Sequence, residues 1–480
     1  MTTVVAPAFS EARLSRTARV AIALAIVLGA GTFAVHVASS TPAPPSLSMW
    51  LGRQIITTHA VPLVLGPETF SSSGAASSPY GWLGDGILYL ANAAGGTEAL
   101  AILTFATLWA ALVALYARCK ARGLAVPFTV VVLGVAVLAT RGTPLSISGN
   151  LNWLFLGALL LALESRDRRW SLAAIPLTAV WCNIAPAGLL APVATLLCAI
   201  GTIVDERGFS VASRYVALAA AGAAIASLAT PWGPGFERHA LGVMGLDPAL
   251  REFSAWQPYN ASGGAYAFGF IALAIAACVS SVGRRLRPPD VLIALGAALL
   301  TLWDVAYLPA FAVAAGPGIA RAIQASCEGR GWCVARRFER DVLVATAAIG
   351  IIASAGVASA APPAARPSSM ILTQLVAERH DHRVFCPDIA DCDVVIASGL
   401  PGLAVFMDGR AWAYPKRVRS DQNAMSELHP AWRHRLTAWR IDTVVVRRGH
   451  ALGAVLALLP QQWHVAARDE AFDLYERGAR

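Results

Sequence analysis

The feature that most constrains the fold is a succession of apolar runs separated by short basic clusters. The runs occupy residues 20–38, 97–117, 124–140, 149–163, 171–184, 187–204, 215–230, 265–283, 289–303, 305–320 and 341–361. A helix that crosses a bilayer needs about 20 consecutive apolar residues, and several of these runs approach that length. In hydrocarbon every backbone N–H and C=O must be satisfied within the structure, so a series of such runs folds as helices rather than as an open sheet. Composition agrees: of 480 residues, 56% are hydrophobic and 14% charged, against about 25% charged in an ordinary soluble domain. The chain reads as an α-helical polytopic membrane protein with about 11 transmembrane helices.

The basic residues orient it. Alternate connections carry Arg118/Lys120/Arg122, Arg166/Arg168/Arg169, Arg207/Arg214, Arg284/Arg285/Arg287 and Arg321/Arg330/Arg336/Arg337/Arg340, while the intervening ones carry two basic residues at most. Clusters of this kind mark the cytoplasmic side. Residues 1–19 are then a cytoplasmic tail, and everything after Pro362 lies outside. The net charge of +9 belongs to these clusters; its partner is the lipid bilayer and its anionic head groups, not nucleic acid. The run 20–38 is long and lacks a cleavage signature, so it reads as a retained first helix rather than a signal peptide. Cys119, Cys327 and Cys333 fall in basic connections, where they are expected to stay reduced.

Three stretches depart from the helical series. Residues 40–96 form a long outer loop whose charged residues are Arg53, Glu68 and Asp85. Within it, residues 46–61 place Leu47, Trp50, Leu51 and Ile55 on one side of a helix, a face suited to the membrane interface. The small-residue stretch SSSGAASS reads as flexible, and residues 82–94 predict a short helix. Residues 231–264 form a second outer loop that contains Arg251 and Glu252. After the linker APPAARPSS, residues 362–480 regain ordinary polarity. There the β-like runs RVFC, LAVFMD, TVVVRR, WHVAA and FDLYER alternate with helical patterns at 370–379, 424–440 and 450–459. That alternation predicts a small α/β extracytoplasmic domain. The spacing of Cys386 and Cys392 permits a disulfide without requiring one.

A set of short phrases occurs in order along the chain. They are Tyr80-Gly81-Trp82-Leu83-Gly84-Asp85, Arg141-Gly142-Thr143-Pro144, Trp181-Cys182-Asn183, Thr230-Pro231-Trp232-Gly233, Glu252 through Trp256 to Pro258, Phe406-Met407-Asp408-Gly409-Arg410, and the closing Trp432, Leu436, Asp469, Tyr475 and Arg477. Together they resemble a family of bacterial polytopic membrane proteins related to the GT-C glycosyltransferases. The resemblance implies a GT-C-like transmembrane domain over 20–361 and a periplasmic domain over 362–480 of an inner-membrane protein. It further implies a polyprenyl-phosphate-linked sugar as donor, transfer on the outer face to a glycan, lipid or protein acceptor, and a catalytic acid in the first outer loop, with or without a divalent metal as cofactor. Two departures stand out. Residues 40–50 contain no acid, and Ile184-Ala185-Pro186 replaces the His expected after Asn183.

Sugar transfer needs a carboxylate to accept the acceptor's proton and positive charge to stabilise the leaving phosphate. Glu68 and Asp85 are the candidate bases. Their ordinary readings are a solvated loop charge and the N-cap of a short helix beginning at Gly86. Arg53 either contacts a lipid phosphate or snorkels to head groups, and Trp82 opens the short helix beside them. Arg251 and Glu252 read as substrate contacts or as a local ion pair. Asp304 directly follows the ninth run and is either an intramembrane charge, which costs about 2.5–3.5 kcal/mol at mid-span, or, the favoured reading, an outer-turn residue able to face an active-site cavity. Asp408 and Arg410 read as a turn and a mutual pair, or as contacts to sugar. The competing function class is a non-catalytic relative that binds lipid-linked glycan or serves as a scaffold or carrier component. The chain has no Gly-rich phosphate loop, zinc spacing or nucleophile elbow, so nothing supports ATP-driven transport.

Overall fold

The computed structural model describes residues 46–77, 81–139, 147–165, 167–235, 286–303, 307–329, 371 and 382–478. The apolar runs 20–38, 265–283 and 341–361 and the Arg141–Pro144 phrase lie outside the described residues. Within the loop read over residues 40–96 the first described element is α1 (Ser46–Thr58), followed by α2 (Trp82–Ala121), α3 (Val126–Ala139), α4 (Ile147–Glu164), α5 (Arg168–Leu172) and α6 (Ala174–Ile184). A 3-10 turn (Pro186–Leu189) leads into α7 (Leu190–Asp205), followed among the described residues by α8 (Val211–Ala226), α9 (Pro288–Trp303) and α10 (Leu308–Gly329).

α2 joins two segments that the sequence separates, the short helix at 82–94 and the apolar run at 97–117. Gly95 (φ −160°, ψ 24°) and Gly96 (φ 59°, ψ −145°) break the helix between them. The Gly96 conformation is open essentially to glycine alone, so the kink is written into that residue. Beyond it α2 packs against α4, α7 against α8 and α9, and α10 against α3 and α9. Leu115, Leu159, Leu160, Trp181 and Ala191 fill the interior, while Val113, Leu196, Val204, Leu218, Ile225 and Leu299 point outward and are exposed. An apolar periphery around a packed helical core is a surface suited to lipid. Among the described residues, Ile102–Ala121 and Ala187–Asp205 are long and apolar enough to cross a bilayer. Gly149–Glu164, Val211–Ala226 and Pro288–Leu302 are shorter apolar helices.

The basic cluster at 118–122 is only partly the connection that the sequence suggests. Arg118 sits in the last turn of α2, fully buried, where it bonds the Glu164 carboxylate and the carbonyls of Val313 and Ala314. Arg122 reaches Glu164 at 2.8 Å and Asp290 at 2.6 Å. This ionic network thus ties the C-terminal ends of α2 and α4 to the first turn of α9, and Arg118 also bonds backbone carbonyls within α10. Cys119 is buried within the same turn rather than lying in a loop.

The C-terminal unit is a five-stranded mixed sheet in the order β2-β1-β3-β5-β4, built from β1 (His382–Phe385), β2 (Leu403–Val405), β3 (Thr443–Arg447), β4 (Trp463–Arg468) and β5 (Phe472–Arg477). β1 runs parallel to β2 and β3, and β5 is antiparallel to β3 and β4. The period-2 alternation of strands sends Phe385, Val444, Val446 and Tyr475 into one core and Val384, Val445, Phe472 and Leu474 into another on the opposite face. Helix α11 (Ile389–Ala397) follows β1, capped by the Asp388 side chain. Cys386 and Cys392 form a disulfide across that turn, with Cα atoms 5.6 Å apart. The helical pattern read at 424–440 is two helices, α12 (Lys416–Ser426) and α13 (Trp432–Ala438), with Leu428 and Ala431 at positive φ between them. α14 (Ala451–Ala457) precedes β4.

Candidate functional site

The loop that contains Glu68 is held against the C-terminal domain by backbone pairing. Val405 N–H donates to the Glu68 carbonyl at 2.8 Å, and Phe70 N–H donates to the Val405 carbonyl at 3.2 Å. Residues 68–70 therefore add to the free edge of β2, and the Ser71 hydroxyl continues the contact by donating to the Phe406 carbonyl. Leu65 is buried in the domain's own core. This pairing covers a sheet edge that would otherwise present bare N–H and C=O groups.

The pairing brings Glu68 to Arg410. The Arg410 guanidinium is buried between two carboxylates: Nε donates to Asp408 at 3.2 and 3.0 Å, and Nη2 donates to Asp408 and, at 3.1 Å, to Glu68 Oε1. Trp50 of α1 lies 5.7 Å from the guanidinium, within cation–π range. Burial disfavours the cation, but the charge and hydrogen bonds of Asp408 more than offset this and hold it protonated. Two further groups brace the turn. Asp408 N–H donates to the Tyr414 hydroxyl at 3.1 Å, and Gly409 N–H donates to the Asp393 carboxylate at 2.7 Å. Burial, with the Asp408 charge nearby, pushes the Asp393 carboxyl well up and raises the Tyr414 phenol likewise.

α1 lies between this turn and α2. Its Leu51 and Ile55 are buried, and the helix packs on α2 and α11; the apolar face expected to rest in the membrane interface is covered by protein. The close approach requires Gly52, since a Cβ there would sit 2.1 Å from the Asp85 carbonyl oxygen. Asp85 itself is 6% exposed. Burial pushes its carboxyl up to about 8, partly countered by a hydrogen bond from Ser48. It is not the cap of a helix starting at Gly86: α2 starts at Trp82, after Gly81 at φ 71°, and Asp85 belongs to its first turn.

Two of the phrases named in the sequence meet here. Trp82 Nε1 donates to Asn183 Oδ1 at 2.7 Å, and Asn183 Nδ2 donates to the Ala229 carbonyl at 2.8 Å. A Cβ on Gly81 would lie 2.4 Å from the Ile184 carbonyl oxygen, so the start of α2 rests directly on the end of α6.

The structure thus joins Glu68, Asp408 and Arg410, and places Asp85 and Trp82 on the neighbouring helix start. Arg53 stands exposed on α1 near Gly399. Arg251, Glu252 and Asp304 lie outside the described residues. Glu68 is not the solvated loop charge of its ordinary reading. Asp393 and Ser48 went unread in the sequence, although Asp393 carried a signal as an acid inside the apolar stretch of α11. A divalent metal does not fit these carboxylates. Glu68 and Asp408 already share a guanidinium and Asp393 holds a backbone N–H. Among the described residues no three His, Cys, Asp or Glu side chains converge as ligands.

No protein-family model and no curated protein matches the chain. Solved structures do. The archaeal oligosaccharyltransferase AglB from Archaeoglobus fulgidus, in complex with an inhibitory peptide and a dolichol-phosphate, is 12% identical with a TM-score of 0.57, over 95% of this chain and 74% of that one. The arabinofuranosyltransferase AftD from Mycobacteria is 16% identical with a TM-score of 0.56, over 96% of this chain and 42% of that one. ArnT from Cupriavidus metallidurans, bound to undecaprenyl phosphate, is 15% identical with a TM-score of 0.51, over 96% of this chain and 98% of that one. The chain has a GT-C-like fold.

Proposed function

We propose that this chain is a membrane glycosyltransferase of GT-C type. It takes a sugar from a polyprenyl-phosphate donor and transfers it, on the periplasmic face of a bacterial inner membrane, to a glycan, lipid or protein acceptor. The observation that supports this reading is a likeness of architecture to AglB, AftD and ArnT over 95–96% of the chain. Two of those structures hold polyprenyl phosphates, dolichol-phosphate in one and undecaprenyl phosphate in the other. In this reading residues 20–361 form the transmembrane domain and 362–480 the periplasmic domain, with the N-terminus cytoplasmic. The Cys386–Cys392 disulfide supports an oxidising compartment for that domain.

Asp85 is the better candidate for the base. Burial raises its carboxyl to about 8, so it holds a proton at neutral pH and serves as a base only through its ionised fraction, which grows as pH rises through 8. Glu68 is committed to Arg410 and acts as a positioning residue for the loop. That same commitment favours a second reading, a non-catalytic relative that binds lipid-linked glycan, because the most accessible loop acid is already paired. Purified protein offered labelled polyprenyl-phosphate sugars separates the two. Transfer that is lost in Asp85→Asn and retained at reduced rate in Glu68→Gln supports the enzyme. Donor binding without turnover in the unaltered chain supports the non-catalytic relative, and transfer unchanged in Asp85→Asn removes Asp85 from the mechanism.

A further inference from the structure

On the C-terminal domain, cationic side chains are held over indole rings. Arg417 lies 5.8 Å from the Trp439 ring, Arg433 5.3 Å from Trp432 and Arg477 5.9 Å from Trp463. The elements carrying them adjoin: α12 packs on α13, and Arg477 Nη2 donates to the Thr437 hydroxyl at 3.1 Å. Trp439 is itself fixed, since its Nε1 donates to Asp421 at 2.9 Å while Arg435 pairs with the same carboxylate at 2.8 Å. The face borders the loop junction, because Trp439 meets Phe406 edge-on at 5.1 Å.

The charge balance of this face is lopsided. Residues 415–440 contain six Lys or Arg and two acids. Asp421 is taken by Arg435 and Glu427 by His429. Among the described residues no carboxylate pairs with Arg417, Arg433 or Arg440, and all three are exposed. Arg440 also ends α13 at φ 53°, a position where glycine is the unstrained choice. A guanidinium stacked on an indole keeps its N–H fork free and has little rotamer freedom left to lose, which suits it to phosphate or carboxylate. Several such groups held together repel one another until an anion arrives.

We propose that this α12–α13–β5 face docks an anionic saccharide, a glycan bearing phosphate or carboxylate groups. The assignment of that glycan as the acceptor rests on the glycosyltransferase reading; the docking itself does not. A bilayer surface fits less well. Insertion into head groups needs apolar side chains beside the cations, and the exposed large hydrophobic residues described in this domain, Leu458 and Val465, lie on neither α12 nor α13.

The test is fluorescence anisotropy with the full chain in zwitterionic nanodiscs, without donor, so that a missing docking face and a missing transferase activity give different results. The probes are a labelled oligogalacturonide and a neutral maltooligosaccharide of equal length. The oligogalacturonide is expected to bind, more weakly as salt rises, and the neutral probe is not. The triple variant Arg417→Gln/Arg433→Gln/Arg440→Gln is expected to lose about tenfold or more in affinity, since each charge-assisted contact is worth that order. The triple Arg→Lys variant keeps the charge and is expected to lose severalfold. Arg448→Gln/Arg468→Gln, whose side chains pair with Asp473 elsewhere on the domain, is expected to stay within twofold. Equal binding of both probes, or retention of affinity by a folded Gln triple, overturns the proposal. Loss of affinity for phosphatidylglycerol vesicles in the triple without loss for the saccharide assigns the face to the membrane instead, and also overturns it.

Discussion

Glu68 and Arg410, 342 positions apart in the chain, meet at 3.1 Å. The contact fastens the loop that carries α1 to the C-terminal domain. A buried cation with two carboxylates is costly to break. Arg410→Leu strands the buried Asp408 charge and is expected to lose about 3–5 kcal/mol. Glu68→Gln keeps an acceptor and is expected to lose about 1–2 kcal/mol. Denaturation of the full chain in detergent measures both, and a double-mutant cycle is expected to give coupling above about 0.5 kcal/mol. Additive effects, or no gain in proteolysis near residues 66–77 in the Arg410 variant, contradict this role.

Asp85 makes stability depend on pH in a defined direction. Its folded value is about 8 against 3.8 for the free group. The folded state therefore holds the proton more tightly, and the contribution is fully present below about pH 4. It is lost as pH rises through about 8, with a slope of about 1.4 kcal/mol per pH unit between those values. Asp85→Asn removes that slope, so the variant gains on the unaltered chain as pH rises from 5 to 8.5. Melting curves across that range decide it; parallel pH profiles for the two proteins exclude a buried, protonated Asp85.

Gly52 and Gly86 make a paired test of how α1 seats on α2. Gly52→Ala drives a Cβ onto the Asp85 backbone oxygen and is expected to cost about 1–3 kcal/mol. At Gly86 the nearest atom to a new Cβ is the Ile56 Cδ1 at 3.8 Å. Gly86→Ala is therefore tolerated and gains up to about 1 kcal/mol of helix propensity. Equal melting temperatures for the two variants contradict the close packing.

Much of this fold is legible in the sequence, for reasons that are local. All five β-like runs coincide with strands, because alternation and β-branched residues are properties of four to six consecutive positions. The apolar runs from 124 to 230 and from 289 to 320 coincide with helices α3, α4, α6 to α10 for the same reason. Errors arise where tertiary contacts override local pattern. The 424–440 helix is interrupted at Leu428 and Ala431, and Arg118, a loop cation by composition, is buried because Glu164 comes from another helix. The site was less legible. Asp408 and Arg410 lie two residues apart and announce their pairing, whereas nothing local to Glu68 reveals that β2 will add residues 68–70 to its edge.

The Cys386–Cys392 disulfide encloses a separation of six residues. Closing so short a loop is worth about 2 kcal/mol in the unfolded chain. Protein isolated without reductant is expected to show neither thiol by alkylation and mass spectrometry. Cys386→Ser/Cys392→Ser is expected to lower the melting temperature, and reductant is expected to change the unaltered protein but not the variant. Free thiols at both positions contradict the bridge and remove its support for the periplasmic placement.

Recognition of a polyprenyl-phosphate lipid is the claim on which the functional reading stands. Native mass spectrometry of the full chain, released from nanodiscs containing undecaprenyl phosphate, neutral undecaprenol or neither, tests it directly. The account predicts saturable binding of one undecaprenyl phosphate, not competed by undecaprenol. Equal retention of the phosphate and the alcohol, or retention of neither, contradicts it.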